Sequence, residues 1–241
     1  MSLVDFRQDT LRASRYFCAR RGREDYHGLR RSYLGTRSRF NPRQKRKVSA
    51  ASHCRVERRA HGIVLQLCSH DATNRLTRDC VLSLTDVVDR LAVENLPLVI
   101  TGHARFFSAG ADLQEINALD GPTAYAFARM GQELMSAIEL FPARVCAAIS
   151  GYCMGGGLDL ALACHRRIAS PNVVFGHRGA ALGLITGWGG TQRLPRLIGK
   201  GRALEMFVAA EKITANRALT IGLIDAIAAD PVAEALRRTR E

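Results

Sequence analysis

The sequence predicts an α/β fold built on a largely parallel sheet, and three observations carry that expectation. From residue 61 onward, short apolar runs of strand length alternate with stretches whose apolar residues recur at helical spacing, the pattern of βαβ crossovers. Glycine clusters stand where strand candidates hand over to helix candidates, at Gly110, Gly155-Gly156-Gly157 and Gly189-Gly190. The 241 residues, 47% hydrophobic and 24% charged, suffice for one globular domain with a sizeable core.

The elements follow in order. Gly62–Cys68 is an apolar run of strand length, and folding is expected to start close to it. Leu76, Cys80, Leu84, Val87, Val88 and Leu91 recur at helical spacing, which predicts an amphipathic helix over 76–93. Pro97–Thr101 reads as the next strand, followed by a glycine-containing loop, a short helix at Asp112–Leu119 and a longer one near Thr123–Leu140. Arg144–Ser150 is a further strand, and after the glycine triplet Leu158–Cys164 is helical. Short strands near Arg166–Ala169 and Val173–Phe175 precede the glycine-rich loop Thr186–Gly190. Helices at Gln192–Ile198 and Ala203–Val208, a helix over Ala215–Gly222 capped by Thr214, and a last helical stretch at Pro231–Arg240 complete the reading.

Charge divides the chain in two. Residues 1–59 hold 17 of the 35 Lys and Arg but 5 of the 22 Asp and Glu, a net of +12, which leaves the remaining 182 residues at +1. We therefore expect a basic, flexible N-terminal arm over 1–55 and a nearly neutral globular domain over 56–241. Four readings stay open for the arm: a solvated tail, a phosphate-binding arm for nucleic acid, an organelle-targeting segment, and an extension outside the fold. Seven cysteines, odd in number and never spaced C-x-x-C, signal neither a disulfide framework nor a zinc site, so reduced thiols in the core are expected. No apolar run approaches the roughly 18 to 20 residues that span a bilayer, and no membrane association is expected.

Nucleotide-binding templates fail, because Gly199-Lys200 is followed by Gly201 and no G-x-G-x-x-G follows a strand in the required context. No G-x-S-x-G surrounds Ser108 or Ser150, and the histidines show no ligand pairing on one helix face. Two segments stand out instead, Phe106-Phe107-Ser108-Ala109-Gly110-Ala111-Asp112-Leu113 and Ile149–Cys164 with its glycine triplet. Each passes from a strand through glycine to a helix start, where free N–H groups face outward and the helix dipole favours negative charge. Two such points brought together make an oxyanion hole, although either segment alone is equally a tight turn.

These two segments and their spacing closely resemble the crotonase family, the enoyl-CoA hydratase/isomerase superfamily. The resemblance runs from about Val56 to Ile227 and also includes Asn74-Arg75-Leu76, Phe175-Gly176, Leu182–Ile185, Gly189–Gly199 and Ala218–Ile224. It implies a crotonase (ClpP-like) fold of repeated ββα units in a superhelix, here with a shortened C-terminal helical segment.

The resemblance also assigns roles. The N–H groups of Ala111 and Gly156 would hold the thioester carbonyl of an acyl-CoA, with Ala109, Gly110, Asp112, Leu113, Gly155, Gly179 and Trp188 around the substrate. Asp159 stands at the first glutamate position of the hydratases and Gly179 at the second, which cannot move a proton. His177, two residues from that vacancy, has acid/base chemistry and is a catalytic candidate beside Asp159. The implied activity is that of an acyl-CoA-processing enzyme, an enoyl-CoA hydratase/isomerase-like lyase. An isomerase or decarboxylase of the same superfamily, or an RNA-binding or non-catalytic acyl-CoA-binding relative, are the alternatives. No metal or redox cofactor is implied, coenzyme A entering as part of the substrate. A homotrimer or hexamer is expected, with nucleic acid a lesser partner, and a cytoplasmic location, or a mitochondrial one if the arm is a transit segment.

Overall fold

The computed structural model of the chain describes residues 53–239. The basic arm lies outside these residues, apart from the stretch that begins the first strand.

Six strands form the principal sheet. Strands β1 (Cys54–Arg59), β2 (Gly62–Leu67), β4 (Leu98–Thr101), β7 (Val145–Ile149), β9 (Arg166–Ala169) and β12 (Ala226–Ile227) lie side by side in that order. All neighbours are parallel except β1 and β2, which form an antiparallel hairpin pairing Cys54 with Leu67 and Arg59 with Gly62. A second sheet has the order β11 (Ile213–Thr214), β10 (Val174–Gly176), β8 (Tyr152–Met154) and β5 (Phe106–Ser108), and β3 (Arg75–Leu76) pairs with β6 (Gly110–Ala111). Between β4 and β10 the chain passes three times from the principal sheet to the second, β4 to β5, β7 to β8 and β9 to β10, with β6 set apart beside β3. This alternation is that of repeated ββα units wound into a superhelix.

The first strand corrects the expectation that folding begins near residue 61. Only Cys54 of β1 is buried, while Arg55, Glu57, Arg58 and Arg59 face solvent. A charged edge strand carries no apolar run, so hydrophobic patterning does not mark it. The strands β5, β8 and β11 were likewise beyond periodicity, being two or three residues long.

The helices follow the sequence more closely. Helix α1 (Arg78–Ala92) starts where the Thr77 hydroxyl accepts from the Cys80 N–H, with Asp79 in its first turn and Arg90 in its last. Leu76, expected inside this helix, pairs with Ala111 in β3 instead. The five-residue α2 (Leu113–Asn117) is followed by α3 (Gly121–Glu139), which opens with a capping box between Asp120 and Thr123. Helix α4 (Gly156–Ala163) is apolar apart from Asp159 and buried from Gly157 onward. Helices α5 (Gly190–Ile198), α6 (Lys200–Ala209) and α7 (Ala215–Thr220) follow. Thr214 does precede α7, but its hydroxyl makes no capping bond.

The sheet is buried on both faces. Ile63, Leu65, Leu98, Ile100, Val145, Ala147 and Ile149 point into the main core with α1, α3 and α4. The alternate residues Val64, Val99, Cys146, Ala148 and Ile168 face the other way, where Ala235, Val232 and Leu236 of α8 (Pro231–Arg238) cover them. Strands covered twice read as continuous apolar runs, as Val145–Ile149 does.

Candidate functional site

Backbone, not side chains, forms the centre of the site. Gly110 adopts φ +92°, and a Cβ there would lie 2.6 Å from the Met154 carbonyl oxygen and 3.1 Å from the Gly156 nitrogen. A Cβ on Gly156 would in turn stand 3.3 Å from the Ala111 nitrogen. Two glycines facing each other therefore let the amides of Ala111 and Gly156 come together. Gly156 is the first residue of α4, so its N–H has no acceptor within the helix.

The neighbouring amides are already used by the fold. The Ala109 N–H donates to the Thr73 carbonyl at 2.9 Å, and the Gly110 N–H to the Ser108 hydroxyl at 3.1 Å. Ser108, fully buried, donates to the Asn74 carbonyl at 2.7 Å, and the Asn74 amide reaches the carbonyls of Phe106 and Phe107. Asn74 itself sits at φ +51°, a conformation asparagine tolerates better than most residues. The Gly155 N–H donates to the Gly176 carbonyl at 2.9 Å, tying the start of α4 to β10. Asp112 caps α2, its carboxylate accepting from the amides of Gln114 and Glu115, with Arg75 at 3.5 Å. Leu113, the next residue, is more than half exposed.

Three polar side chains meet behind this centre. Asp159, 1% exposed in the first turn of α4, receives the Thr186 hydroxyl on Oδ2. Its Oδ1 lies 3.2 Å from Nε2 of His177, off the line of a hydrogen bond, so that both buried atoms lack a hydrogen-bond partner. The His177 ring packs against Phe207 with centroids 5.1 Å apart. Gly190 closes over the group, since a Cβ there would stand 2.1 Å from Asp159 Oδ1 and 3.1 Å from His177 Nε2. Near them, burial and the neighbouring Cys164 and Asp159 push the Cys153 thiol well above its ordinary range, so it is inert at neutral pH.

Trp188 and Gly179 occupy distinct places. The Trp188 indole N–H donates to the Phe127 carbonyl at 3.2 Å, and its ring fits against two glycines, Gly131 of α3 and Gly156. A Cβ at either position would meet the ring at under 3 Å. Gly179 opens a 3₁₀ turn over Ala180–Leu182 and accepts from the amides of Leu182 and Leu184. Its missing Cβ would lie 2.6 Å from the Leu184 carbonyl oxygen.

Ala111, Gly110, Gly156 and Trp188 thus meet at one point, and Asp159 meets His177 one helical turn along. Thr186 and Gly190 complete the second group and escape sequence reasoning, because a loop between two apolar segments carries no period that tells which neighbours it covers. Two open surface clefts lie elsewhere. One of about 530 Å³ is bordered by Arg55, Arg59, Gln66, His103 and Asp230, the other of about 270 Å³ by Arg202, Lys212, Thr214 and Arg217, and neither includes Ala111, Gly156 or Asp159. Among the described residues, no group of three or more His, Cys, Asp or Glu is placed to hold a metal ion, and no helix is long and apolar enough to cross a membrane.

Comparison with known proteins shows the family of the chain. The chain is 44% identical over 144 residues to a probable enoyl-CoA hydratase of Bacillus subtilis (strain 168), an alignment covering 59% of this chain and 55% of that protein. The chain thus spans just over half the length of that relative. Among solved structures it resembles Pseudomonas aeruginosa DspI (36% identity, TM-score 0.74, 78% of this chain and 73% of that one). It also resembles the enoyl-CoA hydratases of Bacillus anthracis (31%, TM-score 0.74, covering 78% and 76%) and Thermoplasma volcanium GSS1 (30%, TM-score 0.75, covering 79% and 77%). The family model for enoyl-CoA hydratase/isomerase matches residues 57–241, from the first strand through α8, and with it the chain belongs to the enoyl-CoA hydratase/isomerase family of the crotonase superfamily.

Proposed function

We propose that the protein processes an acyl-CoA thioester by stabilising an enolate whose oxygen sits between the N–H groups of Ala111 and Gly156. The convergence of these two amides across Gly110 is the observation that supports this most directly. Donors fixed in the main chain are already oriented before charge develops, and removing one such donor typically costs about 2.7–4 kcal/mol of barrier. Asp159 and His177 are the acid/base groups of this reading. Ala109, Gly110, Asp112, Leu113, Gly155 and Trp188 shape the surroundings of the acyl group, Asp112 by holding α2 and Trp188 by packing against Gly156. Coenzyme A enters as part of the substrate, and a trimer or hexamer is the assembly that fits the family.

Isomerisation or decarboxylation competes with hydration for a specific reason. Position 179 is glycine, and the Leu184 carbonyl fills the space a side chain would take. Adding water across a double bond divides its work between two placed acid/base groups, whereas moving a proton on an enolate needs fewer. Incubation with crotonyl-CoA and a panel of other acyl-CoAs, scored by mass spectrometry for gain of water, isomerisation or loss of carbon dioxide, tests the reading. Product abolished by Asp159→Asn supports it. Binding without product from any panel member counts against it and favours an acyl-CoA binder.

A further inference from the structure

Asp159 Oδ1 and His177 Nε2 lie 3.2 Å apart, both buried and neither hydrogen-bonded, while the Thr186 hydroxyl donates to the second carboxylate oxygen. A carboxylate and an imidazole buried side by side are both satisfied only when a proton lies between them. Gly190 is the surface that lets them approach, because any side chain there would displace Oδ1. Gly156 and Asp159 are three residues apart on one helix, about 4.5 Å along its axis, which sets this group next to the amide pair.

We propose that Asp159 and His177 act as one proton-transfer unit on the α-carbon of the thioester, and that Thr186 is its positioning residue. This rests on reading the Ala111 and Gly156 amides as the carbonyl site. With Nε2 turned toward the carboxylate, Nδ1 takes the α-proton. The C–H electron pair moves into the enolate, whose oxygen lies between the two amides, and the imidazolium formed is neutralised by Asp159. Nδ1 then returns the proton to the α-carbon or to the γ-carbon, restoring the neutral ring with no water consumed. The Thr186 hydroxyl holds Oδ2, so that Oδ1 is the oxygen presented to the ring. The reaction class is relocation of a proton within the acyl chain.

The test is deuterium incorporation from D2O by the full-length chain, with butyryl-CoA and 3-hexenoyl-CoA as probes and mass spectrometry as readout. The wild type exchanges the α-proton and converts the 3-enoyl thioester to its conjugated isomer. His177→Gln and Asp159→Asn each slow exchange about 100-fold or more, while KM stays within about twofold and the double variant is no slower than either single one. Thr186→Val lowers kcat about 10-fold at unchanged KM, and Thr186→Ser restores it. Thr186→Val removes the hydroxyl at nearly constant volume and Thr186→Ser keeps it while losing only a methyl, so the pair decides the matter even where His177→Gln fails to fold. Exchange at the wild-type rate in His177→Gln, or Thr186→Ser no better than Thr186→Val, overturns the unit and leaves the amide pair standing. A wild type that binds butyryl-CoA yet exchanges nothing overturns the carbonyl site and the unit with it.

Discussion

At Gly179 the chain passes so close to Leu184 that a Cβ would stand 2.6 Å from its carbonyl oxygen, and backbone cannot yield as a flexible side chain does. Restoring a carboxylate by Gly179→Glu is therefore expected to strain the 3₁₀ turn by roughly 1–3 kcal/mol without creating a hydratase. Thermal denaturation together with crotonyl-CoA hydration measures both, and increased hydration at an unchanged melting temperature would contradict the prediction. Gly156 is constrained from the other side, since a Cβ would lie 2.6 Å from the Trp188 ring. Trp188 is the only tryptophan of the chain. Gly156→Ala should displace the indole from its buried slot and shift its fluorescence emission to the red. The emission should stay put if the ring and Gly156 are not in contact.

Elements are joined here by a few buried polar ties. Arg167 of β9 is 5% exposed, and its guanidinium donates to the carbonyls of Leu223 and Cys164, with the Asp225 carboxylate at 3.4 Å. Burial pulls its pKa below the usual arginine value, with Asp225 acting in the opposite direction. Asp225 also receives the Arg167 backbone N–H at 2.8 Å, which anchors the turn before β12 to β9. Asp225→Ala should cost about 3–5 kcal/mol, because it leaves a buried guanidinium without its counter-charge. Urea denaturation reads this directly, and a loss under 1 kcal/mol would show that the carbonyls alone satisfy Arg167. The cap of α1 is a smaller tie, and Thr77→Ala should cost about 1 kcal/mol by the same measurement.

Across the whole molecule, stability should weaken in mild acid through His165. Its Nδ1 accepts from the Val145 N–H at 2.8 Å while Nε2 faces the Glu139 carbonyl at 3.2 Å, so the fold binds the neutral ring. Burial lowers its pKa below 6.5, against the opposing bond to Glu139. A histidine whose folded pKa is depressed contributes stability that is intact above the unfolded value and is lost as pH falls toward the folded one. The urea midpoint should therefore fall below about pH 6.5, and His165→Gln should flatten that decline; identical pH profiles for the two proteins would exclude the role. Further into acid, Glu234, held at about 2 by Arg237 and Arg238, keeps its ion pairs until pH approaches that value, and the stability they lend fades between 4.5 and about 2. The core thiols take no part at these pH values, burial holding Cys80 and Cys164 at about 12 and Cys146 at about 11.

Much of this protein is written in local sequence. The apolar spacing of α1 and α3, the runs that become β2, β4, β7 and β9, and the glycines at 110 and 155–157 were legible because each reports a period or a backbone conformation carried by neighbouring residues. Family resemblance added the pairing of Ala111 with Gly156. The charged edge strand β1 was invisible, since only its partner strand makes Arg55–Arg59 extended, and β8 and β11 of the second sheet were too brief to show alternation, although β10 was anticipated near Val173–Phe175. The union of Asp159, His177, Thr186 and Gly190 belongs to the tertiary structure alone. Those four residues come from α4, the segment after β10 and the loop into α5, and what brings them together is burial against a shared core, a long-range term that no local pattern encodes.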